Sequence, residues 1–186
     1  MNEIILLKLG EVVLKGLNRR AFEDKLNANL RRRLQHYGRF HVYSKQSTVY
    51  VEPQGEDCDL DGAFAACRQV FGIIAATRAR ACPKDKDAIF HCAQNYLDGE
   101  LRAARTFKVE TKRADKHFPM NSMEISQYVG GLLHDAYPRL KVDVHTPELT
   151  VHVEVREKAA YVHGPAQPGA GGLPIGMGGT AVSLLS

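Results

Sequence analysis

The sequence predicts an α+β protein built as two small layered modules that divide near residue 80. Three observations carry this expectation. Short apolar runs of strand character alternate with amphipathic helical stretches along most of the 186 residues. The first six elements fall in the order β-α-β-β-α-β, the ferredoxin-like pattern, and would close near residue 80. From Pro83 a second mixed series begins and runs until proline and glycine take over at Gly164.

Each element has a local reason. IILLKL at 4–9 is a short, mostly apolar strand. Asn18 can cap a helix reaching about Tyr37, in which Phe22, Leu26, Leu30 and Leu34 recur one turn apart and Gly38 ends the run. FHVYS at 40–44 and STVYV at 47–51 flank a polar turn near Lys45 and Gln46, as in a hairpin. After an acidic turn, Leu60, Phe64, Cys67 and Phe71 mark a second helix closed by Gly72, and IIAAT opens the fourth strand. In the second series, residues 84–97 read as a helix with Ile89, Ala93, Tyr96 and Leu97 on its apolar side. TFKVET at 106–111 alternates as a strand, with Phe107 and Val109 inward. Ser122 can cap a helix whose face is Ile125, Val129, Leu132, Leu133 and Ala136, stopped by Pro138. Strands are expected at about 141–145, at 149–155 and at 160–163. GPAQPGAGGLPIGMGG is too poor in large side chains to build a core and reads as a flexible linker over 165–179; TAVSLLS at 180–186 reads as a strand without its domain.

Composition narrows the function. No run approaches the ~18 apolar residues of a membrane span, and Glu3 precedes the first apolar run where a secretory signal would be basic. A cytoplasmic protein without a membrane partner is expected. The net charge of +4 is modest, but the charge is segregated. Residues 1–40 carry Lys8, Lys15, Arg19, Arg20, Lys25, Arg31, Arg32, Arg33 and Arg39 against four acids, and residues 101–118 carry Arg102, Arg105, Lys108, Lys112, Arg113 and Lys116 against two. Such segregation lets a weakly charged protein present a basic face to a polyanion.

The densest candidate is KRADKHFP. Lys112, Arg113 and Lys116 stand at a strand end directly before a helix N-terminus, where cations and exposed backbone N–H groups together can hold phosphate. The strand adds Lys108, Arg102 and Arg105 flank it upstream, and Phe118 is either a stacking surface for a base or an apolar anchor for the loop. In the first module GEVVLKGLNRR sets Lys15, Arg19 and Arg20 around a glycine-containing turn that feeds a helix. Arg31, Arg32 and Arg33 are consecutive, so they fan over roughly 200° and cannot all face one partner. Contacts of this type position RNA through its backbone without reading bases.

Catalytic and metal signatures are missing. The sequence contains no G-x-S-x-G, H-E-x-x-H or G-x-x-x-x-G-K-S/T. His145 and His152 flank Glu148 but lack a short-spaced third ligand, so no metal site is expected. Cys58, Cys67, Cys82 and Cys92 form no Cys-x-x-Cys pair; they read as small half-buried thiols, with a redox or sulfur-carrying role for one of them as the alternative. No catalytic residue and no cofactor is assigned within the chain.

Four segments carry a resemblance to a known family: KLGEVVLKGLNRRAFEDKLNANL, FKVETKRADKHFPMNSMEIS, VHTPELTVHVEVR and GGLPIGMGGTAVSLLS. Together they resemble the N-terminal part of the tRNA 4-thiouridine sulfurtransferases, also called the thiamine-biosynthesis ThiI proteins. The resemblance implies a ferredoxin-like domain over residues 1–80, a THUMP RNA-binding domain over 81–164, and over 180–186 the first strand of a pyrophosphatase (adenylating) domain. It implies that tRNA is the partner, its acceptor end engaged by the THUMP domain and its uridine 8 presented for 4-thiouridine formation. Lys112, Arg113, Lys116, Lys108 and Arg105 would belong to the THUMP basic surface; Lys15, Arg19 and Arg20 would belong to the entry of the first domain. KHFP is a variant of the family loop, and His117 takes no role from it. ATP would bind a downstream loop of pattern S-G-G-x-D-S, of which Ser186 would be the first serine, and a cysteine desulfurase would supply sulfur to a cysteine beyond it. The chain therefore reads as the substrate-binding fragment of a longer enzyme. Two other readings stay open: a protein-interaction module that pairs copies into a homodimer, and a small ferredoxin-like hydrolase using Asn18 and Arg19.

Overall fold

The computed structural model describes residues 3–10, 18–177 and 182–185. By packing, the described residues within 5–76 and 166–185 form one unit, and residues 3–4 and 77–165 form a second.

The first unit contains β1 (Glu3–Leu9), α1 (Arg19–Leu34), β2 (Phe40–Lys45), β3 (Thr48–Pro53), α2 (Leu60–Arg68) and the start of β4 (Ile73–Cys82). Its strand order is β2-β3-β1-β4, and the sequence of elements is ferredoxin-like, as expected. Lys45 pairs with Thr48, which leaves Gln46 and Ser47 to make the β2–β3 turn. Both have positive φ, 50° and 66°, the backbone shape that matches the twist of a tight hairpin. Leu26, Leu30 and Leu34 of α1 close over Ile5, Leu7, Val49 and Val51. Helix α1 stops three residues short of the expected end, and Asn18, although at the cap position, accepts no hydrogen bond with its side chain. Gly38 has φ 126°, and a Cβ there would lie 2.9 Å from the Cys58 sulfur, so glycine is required where the chain turns away.

The second unit holds the end of β4, α3 (Lys86–Tyr96), α4 (Asp98–Ala103), β5 (Thr106–Arg113), α5 (Ser122–Ala136), β6 (Lys141–Val142), β7 (Leu149–Val155) and β8 (Ala160–His163). β4 and β8 are antiparallel, as are β8 and β7, while β5 runs parallel to both β7 and β6. Phe107, Val151, Val153, Val155 and Val162 form the sheet side of the core, covered by Ile89 and Ala93 of α3 and Ile125, Val129 and Leu133 of α5. Alternation along β5 therefore points Phe107, Val109, Thr111 and Arg113 to the helices and Lys108, Glu110 and Lys112 to the opposite face.

Several expectations are corrected. Asn121, not Ser122, caps α5: its side chain accepts from the Glu124 N–H at 2.9 Å, and Glu124 reaches back to the Asn121 N–H to complete a capping box. The strand expected over 141–145 has two residues, because the Asp143 carboxylate turns back to accept from the N–H groups of His145 and Thr146 and breaks the ladder. Helix α4 has no apolar stripe to announce it; Leu101 is its buried residue. The segment expected to be a free linker is docked. Residues Gln167–Pro168 form β9, paired with Ala75 and Ala76 of β4, and the Gly169 and Gly171 N–H groups donate to Ile74 and Ile73. An added Cβ at Gly169 would sit 2.3 Å from the Ile73 carbonyl oxygen, so the glycines permit close approach of two backbones here. In the expected last strand, residues 182–185 carry no regular structure, while 180, 181 and 186 lie outside the described residues.

Candidate nucleic-acid interface

The loop from β5 to α5 is held from inside. Arg113 is half-buried, and its guanidinium donates to the carbonyl oxygens of Phe118 at 3.2 Å and Lys116 at 3.5 Å. Phe118 is buried in the core, which settles it as an apolar anchor and removes it as a stacking surface. Asp115 accepts from the Lys84 ammonium at 2.7 Å and from the His117 N–H at 2.9 Å. The Lys84 hydrogen bond, followed by that of His117, holds its carboxyl below the usual carboxylate range. The loop's one acid is thereby turned inward. Lys112 and Lys116 are exposed, and their ammonium groups make no hydrogen bond or ion pair with any described residue.

The sequence-predicted cations do not all gather here. Lys112 and Arg113, neighbours on a strand, point to opposite faces. Lys108 shares the Lys112 face but pairs with Glu110 at 3.4 Å. Arg105 is exposed and precedes β5, seven residues or roughly 23 Å of extended chain from Lys112; its N–H, not its guanidinium, is bonded to Glu148. In the first unit Arg19 donates to Glu23 at 3.0 Å and to the Ser47 hydroxyl at 2.8 Å, tying the start of α1 to the hairpin turn. Arg20 is exposed. Lys15 lies outside the described residues.

Beside the loop is a surface the sequence reading missed. β6 pairs with Thr106 and Phe107 only, so β5 is an edge strand from Lys108 onward among the described residues. Between that edge and α5 lies an apolar groove of about 220 Å³, lined by Val109, Met123, Val142 and Val144 and floored where Gly130 and Gly131 carry no side chain. Met123 is 70% exposed and Val144 60%. The Gly-Gly pair inside a good amphipathic helix was the available signal, since glycine is costly there without a packing reason.

Two of the remaining candidates are packed. His152 stacks on His163 at 4.8 Å, and burial, then the charges of His163 and Lys112, lower its pKa against the opposing pull of Glu110 and Glu154. Burial pushes the Cys67 thiol up to about 12, which makes it a poor nucleophile.

Residues 4–77 match the ThiI ferredoxin-like domain, and residues 83–163 match the THUMP domain. A probable tRNA sulfurtransferase of Thermoanaerobacter sp. (strain X514) is 41% identical over 186 residues, which is all of this chain and 47% of that protein. The chain thus spans about half the length of such curated relatives. The crystal structure of a 4-thiouridine synthetase–RNA complex with bound ATP superimposes with a TM-score of 0.82 at 29% identity, over 100% of this chain and 47% of that one. A Pyrococcus horikoshii crystal structure shares the fold, with a TM-score of 0.80 at 24% identity over 94% of this chain and 58% of its own.

Proposed function

This chain belongs to the ThiI family, whose ferredoxin-like domain it carries ahead of a THUMP domain, and from that premise we propose that it binds tRNA through the β5–α5 region of its second unit. The observation that carries the reading is the direction of four side chains: Asp115 and Arg113 face inward to build the loop, and Lys112 and Lys116 are left exposed without a carboxylate partner among the described residues. Lysine is a flexible point charge suited to phosphate, and such contacts fix position rather than sequence. The apolar groove beside β5 suits unstacked bases, which single-stranded RNA offers and a duplex does not. Within the longer protein this grip presents uridine 8 of tRNA for 4-thiouridine formation, with adenylation by ATP and sulfur delivery from a cysteine desulfurase carried by residues other than those described.

Fluorescence anisotropy with a tRNA transcript across a salt series tests the first step. The Lys112→Glu/Lys116→Glu double variant is expected to keep its circular dichroism while losing affinity. Its log–log salt slope should also become shallower by about 1 to 2, since each phosphate contact contributes roughly 0.7–0.9. Unchanged affinity and slope would remove the loop from the interface.

A further inference from the structure

The first unit has a cationic groove that the loop does not explain. It has a volume of about 420 Å³ and is bounded by the C-terminal ends of α1 and α2 and by the segment after β9. Its lining combines Arg32, Arg33 and His36 with Tyr37, Val70, Phe71 and Ile175, and includes no aspartate or glutamate. Arg33 is held in place by Gln69 at 2.5 Å and Arg32 by Asn29 at 2.9 Å, and neither guanidinium is paired with a carboxylate among the described residues. Asn29 in turn donates to the Ile175 carbonyl at 3.2 Å, which fixes the far wall. Phe71 is 47% exposed and Ile175 66%, an unusual cost for side chains of this size beside open water.

Helix C-termini attract cations, and that alone would justify some of these charges. The magnitudes leave an excess, however. Two helix ends supply about half a negative charge each, whereas Arg32 and Arg33 contribute two full positive charges, with His36 beside them and Arg68 also in the last turn of α2. The groove therefore calls for an anion, and its apolar floor calls for a flat, weakly polar body attached to it.

We propose that this groove binds one nucleotide unit, its phosphate held by Arg32 and His36 and its base laid against Phe71. The same chemistry is offered by an unstacked residue of RNA and by a free mononucleotide. In its RNA form the proposal rests on the tRNA-binding reading, at a place separate in sequence and unit from Lys112 and Lys116. A guanidinium fork suits a phosphate, and an exposed aromatic ring is a sequence-tolerant platform for a base.

The full chain is tested in two arms, with adenosine 5′-monophosphate and with a tRNA transcript, each photocrosslinked and mapped by peptide mass spectrometry. Crosslinks are expected on the peptide containing Phe71. Phe71→Ala should abolish them and lower affinity for the bound form roughly tenfold, and Arg32→Ala/His36→Ala should flatten the salt slope by about 1. Circular dichroism of the variants confirms folding. A crosslink with tRNA identifies RNA as the source, and one with the mononucleotide alone identifies a free nucleotide. If tRNA binds and depends on Lys112 and Lys116 while Phe71→Ala changes nothing in either arm, the groove proposal is overturned and the tRNA reading survives. If the wild-type chain binds no tRNA, that reading falls, and the mononucleotide arm decides the groove alone. Protection of Phe71 by a Glu-rich, Phe-containing peptide but by neither nucleotide probe would assign the groove to a protein partner and overturn the proposal.

Discussion

Asp115 lies between Arg113 and Lys116 in sequence, yet its carboxylate is engaged by Lys84 and by the His117 backbone. Its folded pKa is lowered, so its contribution to loop order is complete above the ordinary aspartate value of about 3.9 and is lost as pH falls through the lowered folded value. Amide-exchange protection at His117 should therefore persist at neutral pH and decline only in acid. Asp115→Asn should show the reduced protection already at neutral pH; equal protection in the two proteins would mean the ion pair does not order the loop. The residue types of this loop were legible in the sequence, but their directions were not. Strand alternation separates Lys112 from Arg113, and no local rule shows that Lys84, thirty-one residues upstream of Asp115, would claim the acid.

Helix α5 is the element that sequence defined best, since Ile125, Val129 and Leu133 of its expected face are buried and it ends at Ala136, just before Pro138. Its cap was displaced by one residue because Asn121 and Ser122 are both competent caps, and the Glu124 side chain favours the residue three positions before it. Asn121→Ala should cost about 1 kcal/mol in chemical denaturation, while Ser122→Ala should cost less. Phe107, fully buried where β5 meets α5, is expected to cost roughly 3–5 kcal/mol as Phe107→Ala. The segment after Gly164 shows the opposite case. Its glycines signal flexibility in one dimension, but opposite the edge of β4 the missing Cβ atoms allow two backbones to pair. Gly169→Val should open the Gly171 N–H, which donates to the Ile73 carbonyl, to amide exchange without unfolding the rest of the unit.

At the scale of the molecule, the net charge of +4 says little, because many cations have internal partners. Arg19, Arg102 and Lys108 all face carboxylates. Neutralising such a carboxylate should strengthen RNA binding: Glu110→Gln releases Lys108, and tRNA affinity should rise with a salt slope steeper by about 1. A slope and affinity equal to wild type would place Lys108 away from the RNA.

The sequence by itself determined the ferredoxin-like order of the first six elements, the two cores and the family, because apolar periodicity and the long KRADKHFP and GGLPIGMGG segments are properties of neighbours along the chain. Tertiary structure decided which cations remain available, that Phe118 is an anchor, that the glycine-rich segment lies on β4, and that exposed apolar grooves flank α5 and α1. These follow from partners distant in sequence, and a side chain's charge or shape acts only through whatever the fold brings against it.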